Sequence, residues 1–303
     1  MSTNFPNGVR SYGIPLPGRN IPATMGNVFH VDSGHAQAST TNSGKDHRKP
    51  LSTIDSAVGL CTANQGDVIL VHPGHAETVT AAGGLDLDVA GVFVIGLGSG
   101  TDQPTVTLNT AATADVDIDA ANITIENLHF IAAYADIAAA IDVNATDFTL
   151  RGCRFTESTT GENAKIWVQD AAAAASNRIT IEDCRATGLL DAANTHFVNF
   201  AGTGTGHIVR NNTLMGDWGT MCVGGAGVIT YCEISNNYIM NEASDNDACI
   251  NVAATATGVI ANNIVAGAAA QANGIASGDC TTAQNFYGVH TEDLSGILEP
   301  IAT

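Results

Sequence analysis

One nine-residue pattern returns six times between residues 122 and 265 and leaves the chain little choice of architecture. It reads Asn-Ile-Thr-Ile-Glu-Asn-Leu-His-Phe at 122–130 and Asp-Phe-Thr-Leu-Arg-Gly-Cys-Arg-Phe at 147–155. The remaining copies begin at Arg178, Gly206, Tyr231 and Thr257. The apolar residue in the fourth place is an anchor: Ile125, Leu150, Ile181, Val209, Ile234 and Ile260, in steps of 25 to 31 residues. A repeat of that length carrying a short alternating apolar segment is the signature of a solenoid, one coil per step.

A second strand-like segment recurs between the copies, at Ile141–Val143, Ile166–Val168, Val198–Phe200, Met221–Val223, Ile250–Val252 and around Ile275. Alternation puts one set of side chains inside and the other outside. Phe130, Phe155, Ala186, Leu214, Ile239 and Val265 fall five places after the anchors and form a second inner column. Asn127, Asn211, Asn236 and Asn262 fall two places after theirs, where stacked amides would form a structural ladder at a bend. Fainter coils at Asp67–Val71 and Gly91–Ile95 bring the total to eight or nine. The fold class expected is therefore all-β, a parallel β-helix, right-handed because crossovers between parallel strands have that hand.

Three segments follow. Residues 51–287 are the β-helix, opened by a short amphipathic helix over Ser52–Cys61 with Ser52 as cap and Ile54, Val58 and Cys61 on its buried face. Residues 1–50 lack the repeat. Pro6, Pro15, Pro17 and Pro22 oppose helix and central strand there, so this reads as an extended arm. Its candidate partner-binding residues are Phe5, Val9, Tyr12, Ile14, Leu16, Arg19, Ile21 and Met25. Residues 288–303 leave the repeat again and read as a cap or tail.

The chain has 11 Lys and Arg against 30 Asp and Glu, a formal charge of -19, and no basic stripe, which argues against nucleic acid as a partner. It carries no run of eighteen apolar residues and no charged-then-apolar start, so neither a membrane span nor Sec export is expected. Seven cysteines stand singly without a Cys-x-x-Cys pair and read as buried free thiols in a reducing compartment.

Several constellations could carry chemistry. His72, His75 and Glu77 could hold a metal, although Pro73-Gly74 between them favours a turn. Asp115, Asp117 and Asp119 share one strand face opposite Val116 and Ile118; such a face is commonly only solvated, with Ca²⁺ or polyuronate binding as alternatives. Glu157, Glu162, Asp245 and Asp247 could supply an acid and base across coils. Trp167 and Trp218 would be a sugar platform if exposed and core if not. No Gly-x-Ser-x-Gly elbow, Walker loop or His-Glu-x-x-His occurs, so no cofactor is expected.

The stretch from Ser52 to Thr80, the run Gly91-Val-Phe-Val-Ile-Gly-Leu-Gly98 and the run Ala112 to Asn127 resemble tailed-bacteriophage structural proteins with right-handed β-helix domains. The resemblance covers most of residues 25–155 and implies a virion component, a capsid decoration or cement protein without enzymatic activity. It would be assembled in the host cytoplasm, bind the major capsid protein on the outer shell through its arm, and associate as a homotrimer with possible glycan contact. The alternative it leaves open is a tailspike or fibre β-helix that binds or depolymerises host surface polysaccharide. The chain departs from tailspikes in having no recognisable trimerisation or receptor domain after the repeat.

Overall fold

The computed structural model describes residues 24–159, 161–170, 176–189, 194–242, 248–267 and 274–289, with short backbone strands at 10–11, 14–15 and 295–298. It is a parallel β-solenoid. Each coil lays one strand on each of three faces. The first full coil uses Val68–Val71, Ala76–Val79 and Leu85–Asp86, and the next uses Phe93–Gly96, Thr105–Leu108 and Val116–Ile118.

Face one stacks ten strands from Val28–Val31 to Thr281–Ala283, and face three stacks eight from Leu85–Asp86 to Ile275–Ala276. Face two runs from Ala76–Val79 to Asn285–Val289 and ends on Ser295–Leu298, the one antiparallel partner in that sheet. Among the described residues, no helix is long and apolar enough to cross a membrane.

Register follows the sequence anchors. Val94, Ile125, Leu150, Ile181, Val209, Ile234 and Ile260 stand one above another on face one. Val106, Phe130, Phe155, Ala186, Leu214, Ile239, Val265 and Tyr287 do so on face two. These inward residues are essentially inaccessible. Phe130 and Phe155 lie in parallel offset with centroids 5.4 Å apart, and Trp167 meets Phe155 edge-on at 5.3 Å. Such pairs add about 0.5–1.5 kcal/mol beyond their burial.

The asparagine ladder lies one residue later than the sequence analysis placed it. Asn127, Asn211, Asn236 and Asn262 are the corner residues themselves, with φ of 55° to 57°, a conformation asparagine tolerates better than most side chains. The next residue points inward, and there Asn212, Asn237, Asn263 and Asn285 form the buried ladder. Nδ2 of each of the first three donates to Oδ1 of the next at 2.9–3.0 Å. Each amide also donates to a strand carbonyl, as Asn237 does to Val209 at 2.9 Å. In earlier coils this column is filled by Leu128, Cys153 and Cys184, and the ladder begins where Asn212 Oδ1 accepts the Cys184 N–H at 2.9 Å.

The arm boundary also moves. Val28–Val31 pairs in parallel with Val68–Val71, and Leu51 bridges to Val31, so the stack begins near residue 28 rather than 51. The apolar run Val28-Phe29 and Val31 around His30 is the sequence signal for this strand, and Phe29 and Val31 are its buried residues. The helix spans Ile54–Val58 and is capped by Thr53 rather than Ser52, because Thr53 Oγ1 is the group that accepts the Ser56 N–H, at 3.2 Å. Ile54, Ala57 and Val58 are buried, and Cys61 packs beside them.

Buried polar groups then clamp this end. Asp67, fully buried, accepts the Asn27 N–H at 2.5 Å and the Thr62 N–H at 2.7 Å.

Replacing Asn237 by Ala should lower stability by about 3 kcal/mol, since buried amide and carbonyl groups lose their partners. Asn236→Gly, at the neighbouring corner, should change it by less than about 1 kcal/mol. Denaturant midpoints of the two variants check this contrast.

Candidate functional site

Among the described residues, face three gathers a group of carboxylates that form no ion pair. Its strands alternate apolar-in and polar-out, so parallel register stacks every second residue on its own kind. The outward column on this face is Asp86, Asp117, Asp142, Gln169, Asn199, Gly224 and Asn251. Neighbours in such a column are separated by about 4.8 Å, the strand spacing. Asp115 and Asp119 flank Asp117 along its own strand, while Val116 and Ile118 between them are buried, as alternation required.

Burial pushes the Asp117 carboxyl up to about 6, reinforced by the negative charges of Asp115, Asp119, Asp142 and Asp86. Asp86, Asp115 and Asp142 are likewise raised, each by burial first. The Gly83 N–H, 2.6 Å from Asp115 Oδ1, and a hydrogen bond from Gln169 to Asp142 partly offset the rise. Oδ1 of Asp86 and of Asp142 is buried without a hydrogen-bond partner.

None of Asp86, Asp115, Asp117 and Asp142 enters an ion pair among the described residues. Beyond Asp142 the column turns to amides, with Asn199 Nδ2 donating to Gln169 Oε1 at 3.2 Å.

A central carboxyl held near 6 keeps its proton to a higher pH than an ordinary aspartate, the property a general acid needs. Adjacent coils set their backbones about 4.8 Å apart, so the outward carboxyls of this column are near neighbours. The sequence analysis singled out Asp115, Asp117 and Asp119 but missed Asp86 and Asp142. The signal was present: Leu85-Asp86-Leu87-Asp88, Val116-Asp117-Ile118-Asp119 and Ile141-Asp142-Val143-Asn144 are one motif in successive coils.

The other candidates fall elsewhere. His75 is buried and clamped: Nδ1 accepts the Ser33 N–H at 2.9 Å and Nε2 faces Glu77 Oε2 at 3.2 Å. Glu77 Oε2 also accepts the Ile54 N–H at 2.9 Å, so this carboxylate ties the capping helix to the stack, and His72-Pro-Gly-His75 is a turn in which the His75 N–H donates to the His72 carbonyl at 3.1 Å. Among the described residues, no group of three or more His, Cys, Asp or Glu is arranged to hold a metal.

Trp167 and Trp218 are both completely buried and form core, not a sugar platform. Glu157 accepts from Asn194 Nδ2 at 2.6 Å, Glu162 lies half-buried elsewhere, and Asp245 and Asp247 lie outside the described residues. All seven cysteines are free and six are buried.

Ser176, His207 and Asp170 gather in the interior, each at most 2% exposed. This is not a nucleophilic triad, because His207 Nδ1 accepts the Ile179 N–H at 3.2 Å and Nε2 stands 3.9 Å from Asp170. An orienting carboxylate would need the Nδ1 position.

Of the arm residues, Met25 is 80% exposed and Ile14 falls in a two-residue strand. Phe5, Val9, Tyr12, Leu16, Arg19 and Ile21 lie outside the described residues.

No protein-family model matches the sequence, and no curated protein matches it. Among solved structures it is similar to the GH136 lacto-N-biosidase from Eubacterium ramulus, at 11% identity and a TM-score of 0.41, covering 87% of this chain and 68% of that one. It is also similar to pectate lyase Pel9A, at 12% identity and a TM-score of 0.42, covering 87% and 76%. Both are enzymes, which corrects the expectation that the chain has no enzymatic activity. The correction removes an exclusion and assigns no reaction.

The raised Asp117 group binds a proton more tightly in the folded than in the unfolded chain. Its contribution therefore favours folding at low pH and is lost as pH rises from about 4 to about 6. Asp117→Asn should be more stable than the parent at pH 7, with the difference shrinking below pH 4. Denaturant midpoints of both chains across that range measure it.

Proposed function

We propose that the chain is a tailed-phage surface protein whose face three engages host surface polysaccharide, the spike-like alternative left open by the sequence resemblance. The observation that carries this reading is the three-coil column Asp86, Asp117 and Asp142 with the central carboxyl held near 6. A stack of hydroxyl-accepting carboxylates followed by the amides Gln169, Asn199 and Asn251 suits an extended polyhydroxylated chain running along the solenoid axis. Where such a chain is cleaved, Asp117 is the general acid, and Asp86 or Asp142 the base or nucleophile.

The chain should retain a bacterial surface polysaccharide on a column or release reducing ends from it. Asp117→Asn should lower the release rate by about 10²–10⁴-fold, the usual worth of a general acid. Neither retention nor release across a panel of neutral, amino and uronic polymers would remove this reading.

A second reading, capsid decoration, is favoured by a different surface. Tyr238, Ile264 and Phe286 stack outward on face two in the last coils and are 43%, 50% and 49% exposed. An exposed apolar column on a chain of charge -19 suits contact with another protein, either the major capsid protein or further copies in a trimer. Co-sedimentation with shells lacking this protein should then fall about tenfold for Ile264→Glu and for a chain lacking residues 1–23. Undiminished binding by both variants counts against attachment through these segments.

A further inference from the structure

Five of the nine histidines lie between residues 30 and 75, and only His75 is consumed by the buried clamp. His30 faces outward from Val28–Val31, and His72 follows directly on the paired strand Val68–Val71. Their rings lie 5.1 Å apart with a 59° tilt, and His30 Nδ1 and His72 Nε2 face each other at 2.9 Å. One proton at most fits between them.

The geometry points to a surface site for a divalent transition metal of the Ni²⁺ or Zn²⁺ type, anchored by His30 Nδ1 and His72 Nε2. Imidazole nitrogens bind such ions at about 2.0–2.1 Å, so two ligands at a right angle are about 2.9 Å apart and at a tetrahedral angle about 3.3 Å. The observed spacing already falls at this range, and turning each ring so that both lone pairs converge replaces the shared proton by the metal.

Other polar side chains lie nearby, none among the described residues placed to complete a set of three ligands. The His47 ring is 6.1 Å from His30, edge to face, and the Asp32 carboxylate lies close enough to favour charge on His72. Asp46 lies beside His47, but its carboxylate accepts from the Arg48 guanidinium at 3.1 and 3.2 Å. Two anchors leave the remaining positions to water, to these side chains after a rotamer change, or to a partner.

A bound ion would join segments 42 residues apart and lock the first strand of face one onto the first full coil.

The test is calorimetric titration of the chelator-treated full chain with Ni²⁺ and with Zn²⁺, alongside thermal melts with and without each ion. About one ion per chain should bind below roughly 100 µM and raise the melting temperature. His30→Ala and His72→Ala should each weaken binding at least tenfold and abolish the rise, while His35→Ala leaves both unchanged. His72→Asp, which restores a ligand, should recover part of the binding and guards against loss through misfolding. No uptake by the parent chain, or equal uptake by His30→Ala, overturns the proposal.

Discussion

Everything in this molecule depends on the hydrogen-bonded stacking of one coil on the next, in register, at about one strand spacing. That constraint makes the side-chain pattern periodic: whatever chemistry a position has, its neighbours above and below tend to share. Inside, this produces columns of branched aliphatics and phenylalanines with almost no exposed surface. At the corner between faces one and two it demands a backbone that turns sharply in every coil. The chain meets that demand with asparagine, aspartate, glycine or, at Gln284, glutamine at positive φ, and seats the following residue in the interior. In the later coils the buried amide ladder gives partners to backbone carbonyls at that corner, whereas Leu128, Cys153 and Cys184 fill the same position in earlier coils without it.

The same periodicity that stabilises the inside works against the outside of face three. Like carboxylates one strand apart repel by roughly 3 kcal/mol at an effective dielectric of 20, against under 1 kcal/mol in bulk water. Among the described residues no arginine or lysine forms an ion pair there. Face one differs: Glu126, Arg151, Glu182 and Arg210 alternate in sign up the column, with Arg151 and Arg210 both holding Glu182. Two outward columns of one solenoid thus follow opposite rules. The uncompensated one is the surface whose charge is left for a ligand, a proton or solvent to neutralise.

The ends of a solenoid face a different problem, since the first coil has nothing beneath it. Here the solution is polar as well as apolar. The helix Ile54–Val58 buries one side against the first strands, and Asp67, His75 and Glu77 satisfy backbone donors at the points where the chain departs from the repeat. Glu77 occupies what higher coils fill with Val106 and Phe130. Its exception to the apolar column has a local cause, the N-terminus of the capping helix.

The sequence by itself determined the coil. Six anchors, two strands per turn and the inward columns were legible because parallel stacking converts three-dimensional adjacency into a fixed spacing along the chain. It misplaced the ladder by one residue, because period alone does not distinguish a corner residue from the one after it; that depends on φ. It ended the arm too late, because Val28–Val31 is separated from its neighbour in the stack by a long excursion that breaks the spacing. Only the tertiary structure decided which carboxylates share a column, that both tryptophans are core, and that His30 meets His72. Those relations rest on register between segments of unequal length, and coil lengths of 25 to 31 residues hide register from any reading along one dimension.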